Sequence, residues 1–433
     1  MDPLVVLATG FVLLFALLFL GLPIAFGLLL IGAGGFAAIV GTQPALAMVG
    51  QMASDTGLTY NFSVLPLFIL MGNFVARSRL AEELYDAANA FLGHLPGGLA
   101  MATIVAAGGF STVCGSSVAC AATMTKVSVP TMRSFGYAPG FAGGTVAAGG
   151  TLGILIPPSM AMVLYAIITE TDLGRLFIAG VVPGVLMIAC YLVAIGVAIR
   201  IKPEWGPAGA RSEWAARWRA LGAVWGIVLL FCLVLGGIYF GVFTPTEAAG
   251  IGAAGAFLFA WLRGELGWRG LYDILLDSVV TSSMMFFVLI GALLFTNFVN
   301  VAGLPGLAGE WISGLGIGKT GLILLLVVIY LALGCILEPV SIMLLTVPVF
   351  FPITKAVGID PIWFGIFLVV MIEVGLITPP IGMNVFVVKA LLPDVPSRAI
   401  FAGVLPFLAA DAVLISLIIA FPAIVLFLPD LMR

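Results

Sequence analysis

Long apolar stretches separated by short polar punctuation make up almost the whole chain. They fall at about 4–20, 23–40, 60–76, 138–170, 175–199, 219–240, 246–262, 276–298, 360–390 and 398–428. A membrane-crossing helix needs about 20 such residues, so the pattern predicts a helical span at each. Two further stretches, 97–132 and 318–354, are too long for one plain helix, and each carries a polar or Gly-containing break near its middle. Both are read as re-entrant helical hairpins, entering and leaving on the same side. Non-helical backbone at that depth is tolerated only where protein or a water-filled cavity satisfies it. Residues 77–95 break the pattern. Leu80, Leu84, Ala87, Phe91 and Leu95 recur at helical spacing with charges opposite, which predicts an amphipathic helix lying in the membrane interface. Residues 300–317 occupy the matching place later in the chain and are richer in Gly.

Composition turns this pattern into a class. Of 433 residues, 62% are apolar and 9% charged, against roughly a quarter charged in a soluble domain. The mean hydropathy is +1.26. A globular enzyme, a disordered chain and a nucleic-acid binder are excluded; the expectation is an all-α polytopic membrane protein embedded in a lipid bilayer. The net charge of −3 implies no polyanionic partner. Cys114, Cys120, Cys190, Cys232 and Cys335 all lie in apolar stretches and are odd in number, so they are read as buried small residues and not as a disulfide framework. The start, MDPLVVLATG, has neither a basic region nor a small-residue cleavage site, and the first helix is expected to be retained.

Basic residues set an orientation. With the polar loop 200–218 placed in the cytoplasm, Arg200, Lys202, Arg211, Arg217 and Arg219 lie inside. So do Arg77, Arg79, Arg133, Arg263, Arg269, Lys389 and Arg398, and Lys126 leans that way. Only Arg175, Lys319, Lys355 and Arg433 are left opposite.

The chain also repeats itself. Residues 153–158 read GILIPP and 375–380 read GLITPP, an offset of 222. The same offset carries Pro130 onto Pro352 and the break at 111–119 onto 333–341. The orientation count runs the two GxxxPP spans in opposite directions, so the halves are inverted. Interrupted helices in matching positions of an inverted repeat point to a secondary transporter and its binding site. Pro157–Pro158 and Pro379–Pro380 remove backbone donors, and Gly149, Gly150, Gly153 and Gly375 are expected to let the chain turn there. The freed carbonyls suit Na⁺, and the half-helix N-termini suit a carboxylate. A Pro-kinked helix with no ligand is the alternative for either break alone; two in register, each preceded by a hairpin, favour a site.

These residues carry a resemblance. The run 115–184, together with FTPTEAAG (243–250) and GLITPPIGMNVFVVK (375–389), resembles the large membrane subunit of TRAP transporters, the tripartite ATP-independent periplasmic family, along essentially the whole chain. The resemblance implies an inverted-repeat, elevator-type ion transporter in the bacterial inner membrane. It implies Na⁺-coupled uptake of an organic acid, of C4-dicarboxylate or sugar-acid type. It implies two partners as well: a small four-helix membrane subunit, and an extracytoplasmic solute-binding protein that delivers the substrate. No cofactor is expected beyond Na⁺ as coupling ion. The chain is then divided into scaffold helices (1–76), an interfacial arm (77–96), a first transport repeat (97–174), scaffold helices with the 200–218 loop (175–299), a second arm (300–317), a second transport repeat (318–392) and a C-terminal scaffold helix (393–433).

Carried over by motif, the first hairpin tip is Ser111 to Ser117 and the first broken helix Gly149 to Pro158. The second tip is Gly334 to Ser341 and the second broken helix Gly375 to Asn384. The implied Na⁺ ligands are Ser111, Gly115, Ser116, Gly149, Gly150, Gly153, Gly334, Glu338, Gly375 and Thr378. The implied substrate contacts are Ser116, Ser117, Thr151, Pro157, Glu338, Pro379 and Asn384. Each hydroxyl has a plainer alternative, a bond to a nearby backbone group, and Asn384 has interhelical bonding. Lys126 pairs with a substrate carboxylate or snorkels to the interface. Glu247 and Glu373 are expected to have structural pairing roles, and Asp411 has no assigned role.

Rival functions fit less well. An intramembrane enzyme lacks an inventory: His94 is the only histidine, leaving no zinc pair and no Ser–His dyad. GLGIGKT (314–320) is one residue short of a P-loop. An organic-anion transporter working without a binding protein stands as the alternative, and a channel would need a continuous polar path in place of two symmetric breaks.

Overall fold

The structure, a computed structural model, describes residues 2–264, 266–314 and 318–432. Among these residues it is helical with no strand. The first half runs α1 (Pro3–Phe19), α2 (Ile24–Val40), α3 (Thr42–Leu58), a 3₁₀ turn (Tyr60–Ser63), α4 (Val64–Ala76), α5 (Leu80–Leu92), α6 (Gly98–Cys114), α7 (Ser117–Ser134), α8 (Pro139–Leu155), α9 (Met160–Thr169) and α10 (Leu173–Ile201). A 3₁₀ turn (Pro203–Trp205) and α11 (Trp214–Ala223) lead on. The second half is α12 (Trp225–Tyr239), α13 (Pro245–Leu262), α14 (Trp268–Val301), α15 (Leu304–Gly314), α16 (Lys319–Gly334), α17 (Pro339–Ala356), α18 (Pro361–Gly375), α19 (Met383–Leu391), α20 (Ser397–Ala420) and α21 (Ala423–Leu431).

The 222-residue shift seen in the motifs extends to the elements. It carries α1 onto α12, α2 onto α13, α5 onto α15, the hairpin α6–α7 onto α16–α17, the interrupted helix α8–α9 onto α18–α19, and α10 onto α20. Where the first half has α3 and α4, bent by 60°, the second has the single 34-residue α14. Helix α3 was not among the expected spans: Gln43, Gln51 and Asp55 interrupt its apolar run, and only Ala45 and Thr56 are buried. The last expected span, 398–428, is two helices parted at Phe421–Pro422. Of the second arm, residues 315–317 lie outside the described residues, as does part of GLGIGKT.

Local chemistry fixes the starts. Asp172 accepts from the Arg175 amide to cap α10, and Asp360 accepts from the Ile362 and Trp363 amides to cap α18. Pro opens α8, α13, α17 and α18, where its missing donor costs nothing. Glu247 closes a capping box with Thr244, so its role is a helix cap and not an ion pair.

Helices α8 and α18 form the hub, buried over nearly their full length. Helix α20 packs mainly on α8 and α10, and α10 mainly on α20, α21 and α6, with further contact to α18. Helix α14 packs on α2, α3 and α4, and α13 on α4 and α12.

The amphipathic helix at 77–95 is present as α5, with Leu80 and Ala87 buried. Two arginines hold it. Arg263, at the end of α13, grips both carboxylate oxygens of Glu83 (2.7 and 2.6 Å) and the Ala223 carbonyl. Arg217 of α11, expected in a solvated loop, is buried; it donates to Ala90 O and lies over the Phe91 and Trp214 rings.

The α8–α20 crossing is close enough to exclude side chains. A Cβ on Gly144 would lie 2.4 Å from the Gly403 carbonyl carbon, and one on Gly403 2.2 Å from Gly140 O. Small residues let membrane helices approach in this way. Gly403→Leu is therefore expected to destabilise by at least ~1–3 kcal/mol, read as a lowered melting temperature in detergent. Gly50→Ala, where nothing lies within 4 Å, is expected to leave it unchanged or raised.

Candidate functional site

Each hairpin turns within a few residues. In the first, α6 ends at Cys114, Gly115 takes a left-handed conformation (φ +62°), and Ser116 caps α7 by accepting from the Ala119 amide (3.4 Å). In the second, Cys335–Leu337 bridge from α16, and Glu338 stands at the N-cap of α17, accepting from Ser341 Oγ (3.1 Å). Ser116 and Glu338 are 222 residues apart: one position carries a hydroxyl in one half and a carboxylate in the other.

Each interrupted helix breaks beside its own hairpin tip. The first break spans Ile156–Ser159 and the second Leu376–Gly382; the Pro157–Pro158 and Pro379–Pro380 peptides are cis. Ser159 donates to the Ile154 carbonyl and accepts from the Met162 amide, so it caps both sides of its break. In the second break the Asn384 amide donates to Leu376 O (3.0 Å), and Cys335 Sγ of the tip donates to Pro379 O (3.2 Å). A Cβ on Gly115 would come within 3.3 Å of Pro158 O.

The expected glycine turns are corrected by this geometry. Gly149, Gly150 and Gly153 all lie inside regular α8, which continues to Leu155. They are small because the hairpin presses on them. A Cβ on Gly150 would meet Ala121 Cβ at 2.6 Å, and one on Gly153 the Ser116 carbonyl oxygen at 2.7 Å. Gly375 ends α18 with its Cα against Gly334. Ser111 is a residue of α6, not of the turn, and donates to Ala107 O (2.6 Å).

Between the two tips lies a cavity of about 370 Å³. One wall is Val113 to Ala119, Ile154, Pro158, Met160, Glu338 to Val340 and Met383; the facing wall is Phe68, Met71, Gly72 and Asn73 of α4 with Thr281 and Met285 of α14. Of the expected residues, Gly115, Ser116, Ser117 and Glu338 line it. Thr151, Pro157, Pro379 and Asn384 do not. Thr151 donates to Ala148 O, Thr378 to Val374 O, and Asn384 Nδ2 to Ala147 O (3.2 Å). Lys126 is exposed on α7 and is not part of the lining. The α4 and α14 wall was missed from sequence. Asn73, bonded to Ser278 (2.8 Å), is an isolated polar residue in the apolar run of α4, and Thr281 opens a short polar run with Ser282 and Ser283 in α14; these are the signals that marked the wall. No group of three or more His, Cys, Asp or Glu side chains able to hold a metal occurs among the described residues.

The polar groups around this cavity can bind a small solute. Ser116, Ser117, Asn73 and Thr281 offer hydrogen bonds, Glu338 adds a carboxyl group, the carbonyls of both breaks lie behind the tips, and the rest of the wall is mainly apolar, as in most small-molecule sites.

The chain is similar to known membrane proteins over its length. The family model for the tripartite ATP-independent periplasmic transporter, DctM component, matches residues 11–424. The C4-dicarboxylate TRAP transporter large permease protein DctM of Pseudomonas aeruginosa is 39% identical over 87% of this chain and 88% of its own. The sialic acid TRAP transporter large permease protein SiaM of Vibrio cholerae is 32% identical over 96% of both. The ectoine/5-hydroxyectoine large permease protein UehC of Ruegeria pomeroyi is 30% identical over 98% of this chain and 99% of its own. The crystal structure of the Alcanivorax borkumensis YdaH transporter shares the fold, with a TM-score of 0.61, 16% identity, and coverage of 89% of this chain and 90% of that one. Helices of the required length and apolarity, a cavity between paired tips and this extent of similarity agree: the chain belongs to the TRAP transporter DctM family and is a multi-pass inner-membrane large permease subunit.

Proposed function

We propose that this subunit couples Na⁺ entry to uptake of a small organic acid by an elevator movement. One observation carries the reading: a single cavity has both hairpin tips on one side and α4 and α14 on the other. The tips belong to a body built on α8 and α18, and the facing helices pack with α2 and α13. Sliding the first body past the second would carry solute with the tips while the α4–α14 wall is exchanged. In this reading α10 and α20 travel with the tips, because they pack on the hub. The cavity meets α4 near Ala76, beside Arg77 and its partners Asp273 and Asp277. That is the end read as cytoplasmic, so this conformation is the inward one.

Two Na⁺ sites, one per tip and break, would use backbone oxygens together with Ser116 in the first half and Glu338 in the second. The solute would lie between them, delivered by an extracytoplasmic binding protein, with a small four-helix membrane subunit supporting the fixed helices. Relatives are named for C4-dicarboxylates, sialic acid and ectoine, which supports organic acids as a class; C4-dicarboxylates or sugar acids head it. Two Na⁺ with a monoanion would move one net charge, worth ~2.3 kcal/mol per 100 mV; with a dianion the cycle would be electroneutral.

Uptake in proteoliposomes holding the large and small subunits, with the binding protein outside, is expected to need an inward Na⁺ gradient. Uptake indifferent to Na⁺ refutes the coupling. Gly153→Val is expected to reduce uptake at least ~100-fold with normal membrane insertion, because its side chain would occupy the space of the Ser116 carbonyl. Lys126→Ala is expected to keep uptake within about twofold, since the residue stands away from the cavity, and a larger loss would return it to the substrate site.

A further inference from the structure

Two carboxyl groups lie deep in the hub with no cation paired to them among the described residues. Glu373 of α18 and Asp411 of α20 are both 0% exposed, and none of their four oxygens has a hydrogen-bond partner at normal geometry. The expected structural pairing of Glu373 is therefore absent. Between the two acids stand two hydroxyls from other helices. Thr151 of α8 lies beside Glu373, Tyr191 of α10 lies beside Asp411, and the hydroxyls approach each other at 3.4 Å. Thr151 gives its own proton to Ala148 O (2.7 Å), so its oxygen turns lone pairs and not a donor toward the acids.

The neighbouring helices supply no fixed compensation. Helices α6, α8, α9 and α12 carry no charged residue, and α18 carries only Glu373. The cations of α10 and α20 are Arg175, Arg200 and Arg398, at helix ends. Asp411 is thirteen residues from Arg398, roughly 20 Å along the helix. Arg175 is engaged by Asp430, Arg133 of α7 by Asp394, and Lys389 of α19 by Pro393 O. Lys126 is exposed, Lys319 of α16 donates to Gly358 O, and Lys355 ends α17. A buried charge without a partner costs several kcal/mol, and ionisable residues inside a membrane protein are functional by default.

We propose that Glu373, Asp411, Thr151 and Tyr191 form an all-oxygen site for one sodium-class cation, separate from the hairpin tips. The donors are hard oxygens, two of them anionic, drawn from four helices that meet only in the hub. The site adjoins both breaks: Glu373 lies three residues before Leu376, and Thr151 five before Ile156. An ion held there would draw α8 and α18 together with α10 and α20, fixing the frame on which both tips rest.

The test is equilibrium ²²Na⁺ binding to the full chain in nanodiscs, with melting temperature followed against NaCl at constant ionic strength in choline chloride. The double variant Glu373→Gln/Asp411→Asn is expected to bind one fewer Na⁺ per chain and to lose part of the Na⁺-dependent stabilisation. Tyr191→Phe, which keeps both acids and the shape but removes one of the four oxygens, is expected to weaken that one component at least ~10-fold, the least that loss of even an outer partner around a metal costs. Gly153→Val, aimed at the first tip, is expected to leave it in place. Equal Na⁺ stoichiometry in the wild type and the double variant overturns the site. So does stabilisation that ignores Na⁺ and follows pH, which would put protons there. Should the double variant fail to fold, Tyr191→Phe decides alone: unchanged Na⁺ affinity in every component overturns the proposal.

Discussion

A helix interrupted in apolar surroundings must have its loose backbone groups satisfied by neighbouring protein, and much of this architecture follows from that. At the first break the Ser159 hydroxyl reaches back to Ile154 O. At the second, the Asn384 amide closes on Leu376 O and the Cys335 thiol of the tip on Pro379 O. Tip and break therefore have to touch, and contact at backbone distance leaves no room for side chains. Gly153 lies under the Ser116 carbonyl and Gly334 lies on Gly375. The glycine-rich motifs are thus the imprint of hairpins pressed on helices.

The two halves share a plan at a fixed spacing, so the positions where they differ carry the individuality of the protein. Ser116 corresponds to Glu338 across the repeat, giving one tip a serine that caps its helix and the other a glutamate bonded to Ser341. Thr151 corresponds to Glu373, so the first interrupted helix contributes a hydroxyl to the hub where the second contributes a carboxyl group. The bend between α3 and α4 corresponds to the continuous α14. All three differences lie in the hub, at the cavity or on its facing wall.

Much of this plan was legible in the chain. Apolar runs, the arm helix, both hairpins and both Pro-Pro breaks fall where hydropathy and spacing put them, because bilayer thickness and missing Pro donors act locally. What was not legible depends on tertiary contact. Helix α3 is too polar to register as a span. Arg217 reads as a loop residue until α5 is seen to lie on it. The α4–α14 wall is marked only by Asn73 in an otherwise apolar α4 and by the Thr281–Ser283 run of α14, and nothing local says that these residues face a cavity. Gly149, Gly150 and Gly153 signalled the right place for the wrong reason, since a glycine needed for packing and one needed for turning look the same in a sequence.

Counting hydroxyls along the chain overstates the polar capacity of the site. Thr103, Ser111, Thr125, Ser128, Thr151 and Ser278 each give their proton to a carbonyl of their own helix, a bond that is always within reach of a helical Ser or Thr. At the start of a helix the geometry reverses. Ser116, as the N-cap of α7, uses its oxygen to accept from the Ala119 amide and keeps its proton for whatever enters the cavity. A hairpin whose second arm begins with serine therefore presents donors to a solute that the same serine a few residues further along would withhold. The position of the turn, more than the number of polar residues, decides what the cavity can hold.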